Sequence, residues 1–482
     1  MEGGELVDAA KSAGSAEASE HQDVNAERDD RTREGQAVEA TAHPRDRLAR
    51  ELGFADATFL VVSSVIGAGI FFTPGVVAQS VPDPRLFLLA WLLGGGLSLA
   101  GALANAELGA MFPRAGGDYV YLREAFHPLA GFLVGWLSFF VIYAGTVATL
   151  AMAFADGVDR LLPLGEGGTI VLALSVILGS TWVNYIGVRS GATFNNVTAV
   201  LKIVAIGLLV VAGLVISLPS PPAAPGATAP PPVSLRGFAL AMSPVLFTYL
   251  GWNAPVYVAS EIREPGRNVP RALFLGLAVC TGLYLLLNLL YLHTTPIAEL
   301  AGANDAGEAA ARALFGAFGG NVASLLILLS VLGCLNATIL VGPRIAYAMS
   351  LDGQFFPGTD RVHHVNQTPH VALIAQAVVA FGLIAVLKTF PSVLDYTTFA
   401  IVVATMADVA ALYALRRDRP DAPRPYRAWG YPVVPALYFL ANAAIATAML
   451  FGRPLECFVA LAVTSSGLPF LWAFSRRSQR GV

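Results

Sequence analysis

Charge is what this sequence has least of. Asp, Glu, Lys and Arg together make up 13% of its 482 residues, against 55% hydrophobic residues and a mean hydropathy of +0.63. Soluble globular domains carry about 25% charged residues, so the composition excludes that class and places the chain among polytopic membrane proteins. Cysteine is nearly absent as well. Cys280, Cys334 and Cys457 lie in separate apolar segments at no metal-ligand spacing, which excludes a disulfide framework or zinc site and leaves small core residues. There is no short apolar core followed by a small-residue cleavage site, so no signal peptide is read. The first membrane helix is expected to act as the targeting element.

Residues 1–50 are a different material, rich in Glu, Asp, Arg, Ala and Gly, with almost no large apolar residue before Leu48. They read as a disordered, soluble cytoplasmic tail. Twelve apolar segments follow, starting near Phe54, Arg85, Pro128, Gly168, Ser190, Gly237, Arg271, Gly319, Pro369, Ser392, Tyr431 and Pro454. A proline-rich run from Leu218 to Val233 reads as an external, polyproline-like linker. Arginine and lysine alternate between loops. With the N-terminus inside, one face collects Arg45, Arg47, Arg50, Arg114, Arg123, Arg189, Arg263, Arg267, Arg271 and Arg361. The same face gathers five arginines between Arg416 and Arg427, then Arg476, Arg477 and Arg480. The other face has Arg85, Arg160, Arg236, Arg312, Lys388 and Arg453. The asymmetry predicts cytoplasmic termini and an even number of spans.

Two of the apolar segments are interrupted. The first, Phe54 to Ala78, is long enough to cross a bilayer, yet it contains Gly67, Gly69 and the pair Pro74-Gly75. Glycine costs a helix roughly 1 kcal/mol and proline roughly 3. Unsatisfied backbone in lipid is tolerated only where it lines an enclosed cavity. A half-helix restarting here would aim free N–H groups and a positive dipole end into that cavity, a site for a carboxylate. A glycine-rich helix packing closely on its neighbours is the other reading of this stretch alone. The second interruption, Phe247-Thr248-Tyr249-Leu250-Gly251-Trp252-Asn253-Ala254-Pro255, falls in the sixth segment at similar depth. The two breaks are five segments apart, so they cross the membrane in opposite senses. That is the signature of an inverted repeat with its substrate site at the repeat interface.

Lys202 lies near the middle of the fifth segment, where a charge costs roughly 2.5–3.5 kcal/mol and usually faces a cavity or ion pathway. A lysine in a dry site can give up its proton, and its ammonium can stand where a coupling cation would. Arg344 approaches the cytoplasm and can snorkel or bind acidic loop residues. Glu107 and Glu261 read as partners for loop arginines, Arg114 and Arg263. Asp395 is read as solvated near an outer end, and Asp408 as facing either the bundle or the inner boundary. His363 and His364 beside Asp360 read as a polar loop, with a weak metal site as the alternative. Phe247, one turn before Gly251, is placed to lean over the cavity as a gate, with Tyr249 and Trp252 flanking it either as gate or as packing.

These stretches resemble a known family. Gly67-Ala68-Gly69-Ile70-Phe71 is similar to the Gly-Ser-Gly-Ile-Phe motif of the amino acid–polyamine–organocation superfamily. Phe247 to Asn253 resembles the Phe-x-Tyr-x-Gly-Trp-Asn motif of its L-type amino acid transporter branch. Further matching pieces come in order: Glu107-Leu108, Pro113 to Tyr119, Glu261 to Pro270, and Arg344 with Asp352-Gly353 and Pro357. The resemblance runs from Phe54 to the C-terminus. It implies an all-α fold of twelve transmembrane helices: a five-plus-five inverted-repeat, leucine-transporter-like core with helices 1 and 6 broken, plus two peripheral helices. Residues 51–415 would form the core and 416–482 a cytoplasmic loop, the peripheral helices and a short tail. By the resemblance, amides around Gly67, Ala68 and Gly69 bind an α-carboxylate. Carbonyls of Phe247, Thr248 and Leu250 accept from the α-ammonium, and Lys202 matches a lysine standing in a sodium site. The expected substrate-binding set is completed by Val65, Ile66, Ile70, Gly251 and Asn253. Two departures matter. Ala68 replaces the usual serine, so backbone amides alone must hold the carboxylate. The external loop from Asp159 to Gly168 has no cysteine, so the disulfide-linked partner of animal L-type transporters is not expected.

The function expected is secondary active transport of neutral amino acids across the cell membrane, sodium-independent and proton-coupled. An obligate exchanger or a polyamine or cationic amino acid antiporter is the alternative. Neutral substrates follow from the small apolar residues at the breaks and the absence of an evident pocket carboxylate. A membrane-embedded enzyme would need a nucleophile–base pair or a metal cluster that the inner segments do not offer. A channel would need a continuous polar path, whereas the breaks lie at one depth. The partners expected are an amino acid, a proton and the lipid bilayer, with no cofactor, metal or nucleic acid.

Overall fold

The structure is a computed structural model and describes residues 43–216, 233–303, 305–387, 390–452 and 454–480. Most of the expected tail and of the proline-rich run, Lys388, and the side chain of Asp395 lie outside the described residues. The described residues contain no strand, only the isolated backbone bridges Leu52–Ile262 and Ala115–Val258.

The first segment is two helices, α1 (Phe54–Val65) and α2 (Gly69–Ser80), bent by 46° at the break. Then come α3 (Pro84–Met111), the short α4 (Asp118–Ala125), α5 (Pro128–Leu161), α6 (Gly165–Tyr185) and α7 (Val188–Val215). The second broken segment is α8 (Leu235–Thr248) and α9 (Ala254–Tyr257). The chain continues through α10 (Pro265–Thr294), α11 (Ile297–Leu300), α12 (Ala306–Val341), α13 (Pro343–Leu351) and α14 (His370–Leu387). It ends with α15 (Phe390–Asp418), α16 (Val433–Gly452) and α17 (Pro454–Arg480). Among the described residues nine helices are long and apolar enough to cross a membrane, and the bent α1–α2 pair makes ten. The chain is a multi-pass membrane protein.

Local chemistry sets the ends. Asp83 caps α3 by accepting from the amides of Arg85 and Leu86, both at 2.9 Å, ahead of Pro84 at the first helical position. Pro265 starts α10 at its first helical position without a side-chain cap, six residues before the expected Arg271. Gly316 (φ 65°, ψ −151°) breaks α12, so a short outer arm precedes the span expected to begin near Gly319. In α5 a π-helical stretch, Ser138–Tyr143, widens the turn beside the two breaks.

The face that carries the N-terminal segment is strapped shut. Leu52 donates its amide to the Glu261 carbonyl and accepts from Arg263, each at 2.9 Å. The Tyr347 hydroxyl donates to Asp46 at 2.9 Å and accepts from the Arg47 amide at 3.0 Å. Asp352 gathers His43 at 3.4 Å, the Tyr119 hydroxyl at 2.7 Å and Arg123.

The acidic partners differ from those expected. Buried Glu261 is held by Arg344, through Nε at 2.7 Å and Nη2 at 2.9 Å, while Arg263 reaches the Arg50 carbonyl instead. Buried Glu107 takes Arg416 at 2.9 and 2.6 Å, Arg424 at 3.1 Å and the Ala428 amide at 2.6 Å. Arg114 goes to Glu124. In both cases a carboxylate inside the protein takes a guanidinium from a distant helix or loop, because two or more charge-assisted bonds are needed to offset its desolvation. His363 accepts from the amides of Val365 and Asn366 through Nδ1, so that ring closes its own loop.

Candidate functional site

The two breaks face each other. Between α1 and α2, residues Ile66 to Ala68 leave the helix, and Ile66 adopts φ −79° and ψ 84°. Between α8 and α9 the chain turns at Gly251, with φ 98°. A Cβ there would lie 2.8 Å from the Ser64 carbonyl oxygen, so glycine is required by both its torsion and the close approach of the first break. At Gly69 a Cβ would meet the Thr248 side chain at 3.1 Å.

Side chains stitch the breaks together. The Thr73 and Thr248 hydroxyls are 2.9 Å apart, with the Gly69 and Pro244 carbonyls each 2.8 Å from one of them, so one hydroxyl donates to its own helix and accepts from the other across the breaks. The Tyr284 hydroxyl lies 2.9 Å from the Val65 carbonyl and 3.0 Å from that of Thr248. It has one proton to share between the two freed carbonyls. Pro74 has no N–H for the carbonyl of Ile70, and the Tyr291 hydroxyl reaches that oxygen at 3.5 Å.

Lys202 is completely buried and donates from Nζ to the Ile66 carbonyl at 2.8 Å and the Ser63 carbonyl at 3.3 Å. These are carbonyls at the C-terminal end of α1, where the helix dipole favours a cation. Thus α7 holds the end of α1, and Cys334 of α12 reaches the Ser64 carbonyl at 3.4 Å beside it.

A cavity of about 600 Å³ lies between the breaks. Of the residues named in the sequence reading, Val65, Gly67, Ala68, Gly69, Phe247, Thr248, Leu250, Gly251 and Asn253 line it. Ile66 and Ile70 do not line it; both are fully buried in the bundle, and Ile66 contributes its carbonyl to Lys202 instead. Tyr249 and Trp252 do not flank the cavity either. Tyr249 donates to the Trp91 carbonyl at 3.0 Å and packs edge-on against Tyr284, while Trp252 packs on Tyr438, so both rings serve packing. Phe247 is half-buried on the cavity wall.

The amide of Gly67 is taken by the Val65 carbonyl at 2.9 Å. Those of Ala68 and Gly69, at the start of α2, have no backbone partner among the described residues, which leaves them as anion donors. Across the cavity the Phe247 carbonyl already accepts from the Leu250 amide at 3.1 Å. The arrangement offers positive backbone ends on one wall and carbonyls on the other, the polarity a zwitterion needs.

Sequence reasoning missed a second set of lining residues. Tyr143 and Thr146 come from α5, Ala337, Thr338 and Val341 from α12, and Ile401 and Thr405 from α15. They sit in unbroken stretches with no local signal. Asp118 and Tyr257 also reach the floor, so the cavity does have a carboxylate beside it. The Tyr257 hydroxyl donates to Asp118 Oδ2 at 2.5 Å, and Asn253 donates to Tyr257 at 3.3 Å. Glycine at 117 (φ 49°) begins the turn into α4 that points Asp118 inward, which its motif alone did not reveal.

A helical bundle with a zwitterion-sized cavity between two broken membrane helices defines a carrier of small molecules. Residues 52–471 match the family described as amino acid permease, and the chain belongs to that family. It is 30% identical over 441 residues to the serine/threonine exchanger SteT of Bacillus subtilis, covering 90% of this chain and 99% of that one. It is 30% identical to the large neutral amino acids transporter small subunit 2 of Homo sapiens (88% and 80% covered) and 28% identical to the Asc-type amino acid transporter 1 of Mus musculus (92% and 84%). The chain is therefore an amino acid transporter of the amino acid–polyamine–organocation superfamily, from its L-type branch, and not an enzyme.

Proposed function

We propose that this protein moves neutral amino acids across the cell membrane by alternating access, without sodium and coupled to protons. The observation that carries the reading is the Lys202 ammonium on the Ser63 and Ile66 carbonyls. Unwound carbonyls at a broken helix are where carriers coordinate a coupling cation, and here a side chain fills that role. The substrate carboxylate would sit on the amides of Ala68 and Gly69. Its ammonium would meet the carbonyls of Phe247 and Leu250, with that of Thr248 shared with Tyr284, and Phe247 would close over it as the gate.

The reading takes the chain as twelve spans in a five-plus-five inverted repeat (51–415) with two peripheral helices (416–482). Support comes from the ten spans above together with the shorter apolar stretches Gly237–Thr248 and His370–Ala385. Arginine distribution supports cytoplasmic termini, so the strapped face is the inner one and the cavity belongs to an outward-facing state. Neutral substrates are supported by the apolar and hydroxyl lining from α12 and α15, and by the occupation of Asp118 by Tyr257. The loop from Asp159 to Gly168 has no cysteine to link a partner subunit.

Counterflow into proteoliposomes tests the reading. Trapped neutral amino acid should accelerate entry of labelled substrate in sodium-free buffer, which a channel cannot do. Uptake that requires a sodium gradient would overturn it. A thermal-shift screen against the twenty amino acids would identify the substrate, since a ligand at 100 times its Kd stabilises by about 2.7 kcal/mol.

A further inference from the structure

Beneath the cavity, two carboxyl groups from different helices are enclosed together. Asp118 starts α4 and Asp408 lies in α15; both are completely buried. Helix α4 packs against α15, which sets the two carboxyl groups beside each other. Yet no well-formed hydrogen bond reaches either Asp408 oxygen or Asp118 Oδ1, and the group beside Asp408 is a neutral amide, Asn105, with no charged donor. Acceptor faces acceptor across the pair, and the donor that joins them is a proton. The groups that surround the pair are Tyr121 of α4, Asn105 of α3, Tyr143 of α5, Tyr257 of α9 and Tyr438 of α16, with no cation among them. Arg416, further along α15, is committed to Glu107. Two adjacent negative charges in a dry site with no counter-ion are too costly to persist, as shared-proton carboxyl pairs elsewhere illustrate. Asn105 and Tyr121, both fully buried with side-chain polar atoms left without partners, border the same spot and add donors and acceptors to it.

We propose that Asp118 and Asp408 form a proton-binding site under the amino acid cavity, and that this shared proton bolts α15 to the floor until it is released. The proposal rests on the carrier reading above but not on the role given to Lys202. Asp118 is tied to the second break: Tyr257 donates to it, Asn253 donates to Tyr257, and the Gly116 amide donates to the Tyr257 carbonyl at 3.0 Å. The loop before α4 and helix α9 therefore move as one unit. With the proton present, Asp118 and Asp408 bond and α15 stays against that unit. With it gone, the like charges part and the inner side of the cavity loosens. The proton enters from the side on which the cavity is open and leaves on the other; no other group changes hands.

The experiment is made on purified full-length protein. The infrared spectrum of the wild type should contain a protonated-carboxyl band that is lost in both Asp408→Asn and Asp118→Asn. In proteoliposomes, folded Asp408→Asn should lose both counterflow at equal pH and accumulation driven by an inward proton gradient, because its amide bonds Asp118 permanently and keeps the inner side shut. It should still bind substrate in thermal-shift titration. A band unchanged by both substitutions, or wild-type accumulation by folded Asp408→Asn, overturns the proposal. Absence of counterflow in the wild type would count against the carrier reading instead, and the infrared band would still decide the proton site.

Discussion

Arg344 and Glu261 form a two-pronged ion pair at 2.7 and 2.9 Å with side chains 1% and 0% exposed. The Glu261 carbonyl also accepts the Leu52 amide, so the pair joins α13, the segment after α9 and the strand-like stretch before α1. Removing one partner leaves a buried charge alone. Glu261→Gln or Arg344→Met should destabilise the protein by about 3–5 kcal/mol. The double substitution Glu261→Leu with Arg344→Met should recover much of that loss, as seen in thermal unfolding of the purified protein. A single substitution without effect would mean that the strapped face is held by its backbone bonds alone.

Gly251 should resist any side chain. With φ 98° and the Ser64 carbonyl 2.8 Å from a built Cβ, Gly251→Ala should abolish uptake by pushing the two breaks apart. Gly69→Val should abolish binding too, since its methyls would displace Thr248 and cover the α2 amides. Gly67→Ala, whose Cβ would be 3.7 Å from Cys334 Sγ, should keep substrate affinity. Thermal-shift titration with substrate separates the three; wild-type affinity in folded Gly69→Val would refute the carboxylate assignment.

Those glycines show why the breaks were legible in sequence. A glycine or proline acts on its own turn, so its effect needs no knowledge of the fold. The partners of Glu107 did not follow from sequence, because Arg416 and Arg424 lie 309 and 317 positions away and nearby Arg114 looked sufficient. Asp118 was visible in its motif but not its inward direction, which the Gly117 turn decides. Residues such as Thr338 and Ile401 face the cavity only because α12 and α15 rotate them there, and periodicity is silent in helices that are apolar all round.

Phe247 should behave as a lid. Phe247→Ala should impair uptake more than folding, while Phe247→Tyr and Phe247→Trp keep part of the activity. Comparing uptake with melting temperature for the three variants checks this. Normal transport by Phe247→Ala would leave the ring a wall residue only.

Outside the spans, burial raises the Asp305 carboxyl to about 6, although Asp305 caps the outer arm of α12 by accepting from the Glu308 amide at 2.8 Å. A raised folded value means that the folded arm binds the proton more tightly than the unfolded chain. Its contribution is complete below the ordinary carboxyl value of about 3.9 and is lost as pH rises through about 6. Hydrogen exchange along Ala306 to Phe315 should therefore show less protection at pH 7 than at pH 5 after correction for intrinsic rates. Asp305→Asn, which keeps a capping oxygen, should flatten that dependence. A dependence that survives the substitution would place the titrating group elsewhere.

The proposed proton coupling makes Lys202 the residue to test. Its ammonium bridges α7 to the end of α1 through the Ile66 and Ser63 carbonyls, and its side chain is fully buried. Loss of the proton would turn a charge-assisted donor into a weak one and free the end of α1, which α2 and the cavity follow. A proton at Lys202 would thus favour the arrangement seen here, and its release the opposite one. Lys202→Ala should lose accumulation driven by a proton gradient while retaining substrate binding in thermal-shift titration. Lys202→Arg keeps a fixed charge and should also lose proton-driven accumulation, which separates titration from mere cation placement. The measurement is uptake into proteoliposomes under an imposed pH gradient and, separately, an imposed sodium gradient. Wild-type accumulation by Lys202→Ala would refute the coupling role, and strict dependence of the native protein on the sodium gradient would refute it equally.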